Sequence, residues 1–349
     1  MNDATDVLTD EVRTAAKEKR ALRIVGGDTK SWYGRAPVGE PLNVSRHTGI
    51  IDYDPSELVL TARAGTPVLE IEAALAENNQ KLGFEPPIFG PPSTIGGVIA
   101  AGLAGPSRPF AGAVRDHVLG VRILNGRGQS LRFGGTVFKN VAGFDAFRLM
   151  CGAMGTLGVI LDVSIRVMPR PEESISLVFN EDWQASQPRL TRLLGRPLPI
   201  DGAFHDGTRL HVRLSGPRAG VLTAAEELGG EHEDPTIWEQ LRHMTPPNLR
   251  APGLWRLSIP RTTKLGDIPG EQLIDWAGGQ RWLSTTASPS RMNEIAAAVG
   301  GHASIFRRAD DDQDSFTSLP KTLFKLHKRL KTVFDPAGIL NPGRLYQGL

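Results

Sequence analysis

Alternation of apolar and polar positions predicts several short strands in the first half of the chain. Ile50 to Ala64 alternates on either side of the turn Asp54-Pro55-Ser56, which is typical of a β-hairpin. A second hairpin is predicted around Asn125-Gly126-Arg127-Gly128, because glycines at these positions favour a tight turn. The other strands predicted in this half are Ala21 to Val25, Leu42 to Ser45, Val118 to Leu124, Gln129 to Phe133 and Val159 to Val167.

Helices are predicted where capping residues precede an apolar stripe. The first helix has Thr9 as its predicted N-cap, and Lys17, Lys19 and Arg20 in its last turn. A second helix is predicted to follow Thr66 as N-cap, with Pro67 in the first helical position. Phe144 to Met150 is predicted as a third.

The composition changes after Met168-Pro169-Arg170-Pro171, which indicates a domain boundary. Five of the six tryptophans lie between 172 and 310, among short strands and helices that predict a separate α+β unit. A basic helix, Pro320 to Phe334, follows an acidic link. We therefore expect an α+β protein with a domain at 1–171, a smaller α+β cap domain at 172–310, and a C-terminal segment, 311–349, that returns to the first domain.

Charge and cysteine content exclude several functions. The net charge of +2 gives no global attraction to nucleic acid or anionic lipid. The single cysteine, Cys151, excludes an iron–sulfur cluster held by cysteines of this chain, and no histidine spacing suggests a metal site. The N-terminus has neither a basic nor an apolar signal region, so we expect a cytoplasmic protein whose membrane association, if any, is through partner subunits.

Two glycine-rich segments suggest that a ligand approaches the backbone. In the first, a predicted strand ends in Gly26-Gly27-Asp28-Thr29-Lys30, a turn that can present backbone N–H groups to a phosphate. An ordinary strand-to-loop turn is the alternative. In the second, Ser93 to Gly102, small residues cannot fill a core and fit a place where another group comes close.

The sequence has two further glycine-rich segments, which make four in all. The third is Gly112 to Gly120, and the fourth runs from Lys139 to Asp145 and on to Gly152 to Ile160. Together with the tail Phe334 to Gly343, these segments resemble, in order, the PCMH-type (vanillyl-alcohol oxidase) FAD-binding family. The third and fourth elements resemble in particular the FAD-binding subunits, type E, of bacterial glycolate oxidases.

The resemblance implies a two-lobed FAD-binding domain and assigns residues to the cofactor. The first glycine turn would be the pyrophosphate loop, the second segment a wall along the pyrophosphate and ribityl chain, and Gly155 to Ile160 a contact on the adenine side. The implied FAD-binding residues are Gly26, Gly27, Asp28, Thr29, Lys30, Ser93, Thr94, Ile95, Gly96, Gly97, Ala100, Gly102, Gly112, Arg115, Asp116, Gly155, Gly158 and Ile160. Three of them have a structural alternative: Arg115 and Asp116 can form a surface ion pair, and Asp28 can cap its own turn.

The chain departs from the family pattern in two ways. Many relatives attach FAD to a histidine just after the paired glycines, but Asp28 stands here, so non-covalent FAD is predicted. The larger D subunits of glycolate oxidases and the D-lactate dehydrogenases carry a His-x-Gly-Asp-Gly-Asn run, which this chain lacks. No general base is therefore evident, and His302 and His327 are considered as candidates. Candidate carboxylate clamps are Arg115, Arg307, Arg308 and Arg344.

We expect an FAD-binding subunit of a glycolate oxidase complex that works with a second FAD-containing subunit and an iron–sulfur subunit. The complex would oxidise glycolate, a small 2-hydroxy acid, to glyoxylate. The chain would either oxidise the substrate itself or, as the missing motif favours, serve in assembly or electron relay. The alternatives are a stand-alone FAD-dependent oxidase or dehydrogenase of another hydroxylated substrate, and a non-catalytic structural subunit.

Overall fold

A computed structural model describes residues 2–136, 144–246, 249–263, 270–310 and 314–349. The chain divides into two compact units. The first comprises Met1–Leu103, Ala113–Pro169 and Ser318–Leu349, and the second comprises Ala104–Gly112 and Arg170–Thr317. Compared with the expected boundaries, the second unit also includes the segment 104–112, begins at Arg170 instead of 172 and ends at Thr317 instead of 310.

The described residues form ten α-helices and two short 3-10 turns, Ala146–Met150 and Trp276–Gly278. The helices are α1 (Thr5–Glu18), α2 (Val68–Ala76), α3 (Ile95–Ala101), α4 (Arg108–Ala111), α5 (Val114–His117), α6 (Trp183–Leu193), α7 (Arg218–Leu228), α8 (Thr236–Arg242), α9 (Pro289–Ala298) and α10 (Lys321–Phe334). None of these helices is long and apolar enough to cross a membrane.

The strands fall into four sheets. They are β1 (Leu22–Val25), β2 (Glu40–Asn43), β3 (Ile50–Asp54), β4 (Val59–Arg63), β5 (Gln80–Lys81), β6 (Val118–Leu124), β7 (Ser130–Gly134), β8 (Val159–Arg166), β9 (Met168–Pro169), β10 (Glu173–Phe179), β11 (Ile200–His205), β12 (Leu210–Gly216), β13 (Glu231–His232), β14 (Leu254–Ser258), β15 (Glu271–Asp275), β16 (Gln280–Ser284) and β17 (His302–Arg307).

The first unit is built on an antiparallel five-stranded sheet in the order β3-β4-β8-β6-β7. Leu60, Val163 and Ile165 are fully buried in it, as the predicted alternation requires. A small parallel pair, β1 and β2, lies in the same unit, and the C-terminal tail adds to it: the Leu22 N–H donates to Ile339 O at 2.7 Å.

The second unit is an eight-stranded sheet in the order β13-β10-β12-β11-β15-β16-β14-β17, with antiparallel pairing throughout. Helices α6 and α7 pack apolar side chains on β10, β11 and β12, and α9 packs on β14, β16 and β17. These helices bury the apolar face of the sheet in two clusters. The expected α+β fold is confirmed.

Three local predictions were wrong. Thr9 does not cap the first helix, which begins at Thr5; the Thr9 hydroxyl instead donates to Thr5 O at 2.7 Å within the helix. Pro67 is the N-cap of α2, not its first residue, because the Thr66 hydroxyl accepts a hydrogen bond from the Gly49 N–H. In place of the helix expected at 144–150, the structure has a 3-10 turn that covers only Ala146–Met150. The run at 137–143 lies outside the described residues.

Candidate functional site: a glycine-lined cleft in the first unit

A cleft in the first unit gathers residues from four distant parts of the chain. It holds about 900 Å³ of atom-free space, a figure that includes its opening to solvent. Its walls are the turn after β1, one side of α3, the segment from 154 to 160 and the C-terminal tail. The lining residues are Arg23 to Ser31, Tyr33, Pro37, Val44, Ala64, Thr94, Gly96, Gly97, Ala100, Ala101, Met154, Gly155, Gly158, Ile160, Asn341 and Arg344.

The turn after β1 needs its two glycines because neighbouring loops come very close. A Cβ at Gly27 would collide with the carbonyl of Pro92, and one at Gly26 would collide with the hydroxyl of Thr94. The next residue, Asp28, has a φ of +51° and accepts from the Arg23 guanidinium at 3.1 and 3.2 Å. Both side chains of this ion pair are partly exposed, and both residues line the cleft.

Helix α3 forms although two of its seven residues are glycines. Thr94 is the N-cap, and its hydroxyl accepts a hydrogen bond from the Gly97 N–H at 3.3 Å. A Cβ on Gly96 would stand 2.6 Å from the Cβ of Ala64, the residue that follows β4, so glycine lets the helix lie close to the end of that strand. Gly97 lines the cleft, and a Cβ there would meet only the Thr94 hydroxyl, at 3.3 Å.

Lys30 brings a positive charge to the cleft. Burial lowers the pKa of its amine to about 8, because a charged group loses hydration in such a site. Its ammonium lies 5.8 Å from the centre of the Phe89 ring. The neighbouring Thr29 hydroxyl is held by the hydroxyl of Ser93 at 2.9 Å. An anionic ligand in the cleft would restore the favourable environment that the ammonium lacks.

The C-terminal tail ties the walls of the cleft together. The Asn341 amide accepts from the Ile24 N–H at 2.7 Å and donates to Met154 O at 2.6 Å. The Arg344 guanidinium donates to Lys30 O at 3.1 Å, to Ser31 O at 2.9 Å and to Arg35 O. The tail therefore positions both the first glycine turn and the segment around Gly155.

A buried ion pair anchors this tail to α10. The Lys331 ammonium donates to the Asp335 carboxylate at 2.6 Å, to Leu340 O at 2.7 Å and to Thr156 O at 2.8 Å. Asp335 also accepts from the N–H groups of Ile339 and Leu340. All polar atoms of the Lys331 and Asp335 side chains therefore form hydrogen bonds. A buried ion pair whose polar atoms are all hydrogen-bonded can hold the segments around it in one geometry.

Twelve of the eighteen residues assigned from the sequence line the cleft. Those that do not are Ser93, Ile95, Gly102, Gly112, Arg115 and Asp116. Contact with the cofactor stays a prediction for all eighteen. Asp116 accepts from the Ala113 N–H at 2.9 Å and lies 3.4 Å from the Arg148 guanidinium, while Gly112 belongs to the second unit.

Sequence reasoning missed the roles of Tyr33, Met154 and Asn341 in the cleft. Arg344 was considered only as a carboxylate clamp, whereas its guanidinium holds backbone carbonyls. The only sequence signal for Asn341 was that the tail, Phe334 to Gly343, resembles the C-terminus of the family.

Two kinds of reactive group are absent from the described lining of the cleft: none of its residues is a histidine or a cysteine. Burial raises the pKa of the Cys151 thiol to about 12, so that this thiol stays protonated at neutral pH. No group of three or more potential metal ligands occurs among the described residues.

Comparisons with known proteins agree with this geometry. The family model for the FAD binding domain matches residues 3–134, and the model for the C-terminal domain of FAD linked oxidases matches residues 315–345. The chain belongs to this family of FAD-linked oxidases. It is 45% identical over 348 residues, 99% of each chain, to the glycolate oxidase subunit GlcE of Escherichia coli (strain K12).

Two other proteins show how far the similarity extends. The glycolate oxidase subunit GlcD of Bacillus subtilis (strain 168) is 32% identical over 180 residues, 51% of this chain and 38% of that protein. Among solved structures, an alkyldihydroxyacetonephosphate synthase has a TM-score of 0.65 at 15% identity, covering 97% of this chain and 75% of that chain. The structural match shows a shared fold.

The cofactor of the family fits the cleft. Glycines stand where a Cβ would overlap neighbouring backbone or side chains, a glycine of α3 faces the open space, and a cation lines the wall. The chain is therefore an FAD-binding oxidoreductase, as the sequence pattern predicted.

Proposed function

We propose that the chain is the FAD-binding subunit of a glycolate oxidase complex, which oxidises the CH–OH group of glycolate to give glyoxylate. Electrons would leave through the flavin to a partner iron–sulfur subunit, and a second FAD-containing subunit would complete the assembly. The observation that carries this proposal is the 45% identity to GlcE across 99% of both chains. The single cysteine supports an iron–sulfur relay on another chain.

Within this proposal, FAD lies in the glycine-lined cleft and supplies the two-electron acceptor. The turn at Gly26 to Lys30 and the cleft-facing side of α3 hold the pyrophosphate, and the Lys30 ammonium balances its charge. The segment from Gly155 to Ile160 contacts the adenine side. FAD is held non-covalently, since Asp28 takes the place of the usual histidine and pairs with Arg23.

The assembly or relay role is favoured over oxidation by this chain alone. Two of the arginines considered as carboxylate clamps are engaged elsewhere: Arg344 holds backbone carbonyls, and the Arg307 Nε donates to Leu249 O at 3.1 Å. The absence of a His-x-Gly-Asp-Gly-Asn run removes the usual base and ligands.

One observation favours the second option, in which this chain oxidises glycolate. On the sheet of the second unit, Arg256 and His302 share a face, since Arg256 pairs with Ser304 and Ser258 pairs with His302. Partial burial, and then the charges of Arg256 and Arg108, lower the pKa of His302. A neutral imidazole beside two guanidinium groups has the composition needed to accept a proton and to bind a carboxylate.

The test is a spectrum of the purified chain before and after acid precipitation, followed by glycolate without oxygen. We expect a flavin spectrum whose colour moves into the acid supernatant; colour left in the pellet would contradict non-covalent binding. No bleaching by glycolate would support relay or assembly. Bleaching that Arg256→Met abolishes, with FAD content unchanged, would place oxidation in this chain. A colourless protein that takes up no FAD would contradict the proposal.

A further inference from the structure

Helix α10 has an inner face that packs on the first unit. The Phe334 ring lies 5.9 Å from that of Phe133, the His327 ring lies 6.0 Å from that of Tyr346, and Lys331 is buried with Asp335. These residues follow a helical spacing of three and four. The helix is therefore fixed to the body of the protein by one side, and its other side chains keep a defined direction.

A second apolar row runs along α10 beside this inner face. It consists of Leu323, Leu326, Leu330 and Val333, which we call the seam. Leu323 is 46% exposed, Leu326 51% and Val333 68%, and Leu330 is half-buried. Single exposed apolar residues are common, but a row of four on one helix marks an interaction surface.

The spacing of the seam identifies the shape of its partner. Its steps of three, four and three residues are those of the a and d positions of a heptad repeat. At about 100° per residue, the four side chains fall within an arc of about 80°. Such a narrow row fits the groove of another helix, whereas a helix lying in a lipid surface presents a wider apolar face.

The charges beside the seam identify the chemistry of the partner. Lys325 and Arg329 are exposed and form a basic row next to the seam, on the side away from the inner face, whereas Lys321 and Lys328 lie on the side of the helix opposite the seam. A second copy of the same helix would bring like charges together, which is unfavourable. Carboxylates flanking an apolar row would pair with the basic row and set the direction of approach.

We propose that the seam and basic row of α10 dock a helix of a partner subunit, and that this partner helix carries an apolar row flanked by aspartates and glutamates. This proposal rests on the proposed function, which identifies the complex. The partner helix would belong to the second FAD-containing subunit or to the iron–sulfur subunit. The proposal adds the surface by which this chain joins them.

The test is co-expression of the tagged full-length chain with those two subunits, followed by affinity purification. We expect Leu326→Asp/Val333→Asp to reduce the recovered partner at least about tenfold, since buried apolar anchors dominate such contacts. Lys325→Glu/Arg329→Glu should reduce it as well. The control is Leu69→Asp/Val7→Asp, because these residues are of the same types and similarly exposed, 48% and 61%, on other helices of the unit. All variants should keep the FAD content of the wild type.

Other results would overturn the assignment in distinguishable ways. If wild type and seam variant recover the partners equally, the seam is not the docking surface, although the complex stands. If the wild type recovers neither subunit, the proposed function and the seam assignment both fail. Two further results would assign the seam to another occupant. One is seam-dependent sedimentation with phosphatidylcholine–phosphatidylglycerol vesicles. The other is a dimer of the chain alone, seen by light scattering, that the seam variant makes monomeric.

Discussion

Adjacent glycines of α3 offer a way to separate cofactor binding from folding. Gly96 and Gly97 are both helical, so replacing either with alanine gains similar intrinsic helix stability, at most about 1 kcal/mol. Their surroundings differ. A Cβ on Gly96 stands 2.6 Å from the Cβ and 2.9 Å from the carbonyl oxygen of Ala64, whereas one on Gly97, which lines the cleft, meets only the Thr94 hydroxyl, at 3.3 Å.

We therefore expect Gly97→Ala to leave the free energy of unfolding of the FAD-free protein within about 1 kcal/mol of the wild type. Its methyl group enters the space that FAD would occupy. An added methyl group in a packed site raises the free energy by about 1–3 kcal/mol. The FAD affinity should therefore fall about 5- to 150-fold. Gly96→Ala should instead lower the free energy of unfolding by about 1–3 kcal/mol, because α3 must move away from the sheet.

The measurements are urea denaturation of the FAD-free protein and titration with FAD followed by flavin fluorescence. Gly220→Ala is the control, since Gly220 lies in α7 with no atom within 4 Å of an added Cβ. It should stabilise slightly and leave FAD affinity unchanged. An unchanged FAD affinity in Gly97→Ala would refute the placement of the cofactor against α3. Destabilisation of that variant by as much as Gly96→Ala would refute the reading of its surroundings.

Three further predictions concern charged and reactive groups near the cleft. FAD binding should favour the protonated form of Lys30, because burial lowers the pKa of its amine to about 8. FAD affinity should then weaken between pH 7 and 9, by at most about tenfold per pH unit above pH 8, and a Lys30→Met variant with the same pH profile would contradict this. Lys331→Met leaves the Asp335 carboxylate buried without its cation, so guanidinium denaturation should show a loss of about 3 kcal/mol. Lys325→Met, at an exposed position of the same helix, should change little, and an equal loss there would refute the argument. Cys151→Ser should leave both the FAD content and its release by acid unchanged, and a loss of bound FAD would assign that thiol a role.

Local patterns predicted the elements of the first unit well. The strand predicted at Val118 to Leu124 has those bounds in the structure, and the hairpin around residue 54 is formed by β3 and β4. Both rest on period-two alternation and turn chemistry, which are local properties. The order of the eight strands in the second unit had no such signal, because β15 pairs with β11, through His205 and Ile274, far apart in sequence.

For the glycine-rich segment after Ser93, the sequence predicted close approach of the backbone to another group but did not predict that the segment is helical. Its small residues predicted close backbone approach, and low intrinsic helix propensity gave no reason to expect α3. The helix forms because Thr94 caps it and because Gly96 packs on Ala64. Glycine serves two purposes there, contact with the sheet at position 96 and an open wall of the cleft at position 97, and the sequence alone does not distinguish them.

Sequence reasoning assigned no role in the cleft to Asn341, whose contacts join parts of the chain that are far apart in sequence. Asn341 hydrogen-bonds the Ile24 N–H across 317 positions and Met154 O across 187. Each bond joins a side chain to a main-chain group, and main-chain groups carry no residue-specific pattern that a sequence window could match. Asn341 also has a φ of +43°, a region that asparagine tolerates better than most residues. Its identity is thus required by its backbone conformation and by its two hydrogen bonds together. Because the same residue holds β1 and the segment before Gly155, the tail is a structural wall of the cofactor site, and the site is complete only once the last residues of the chain have folded.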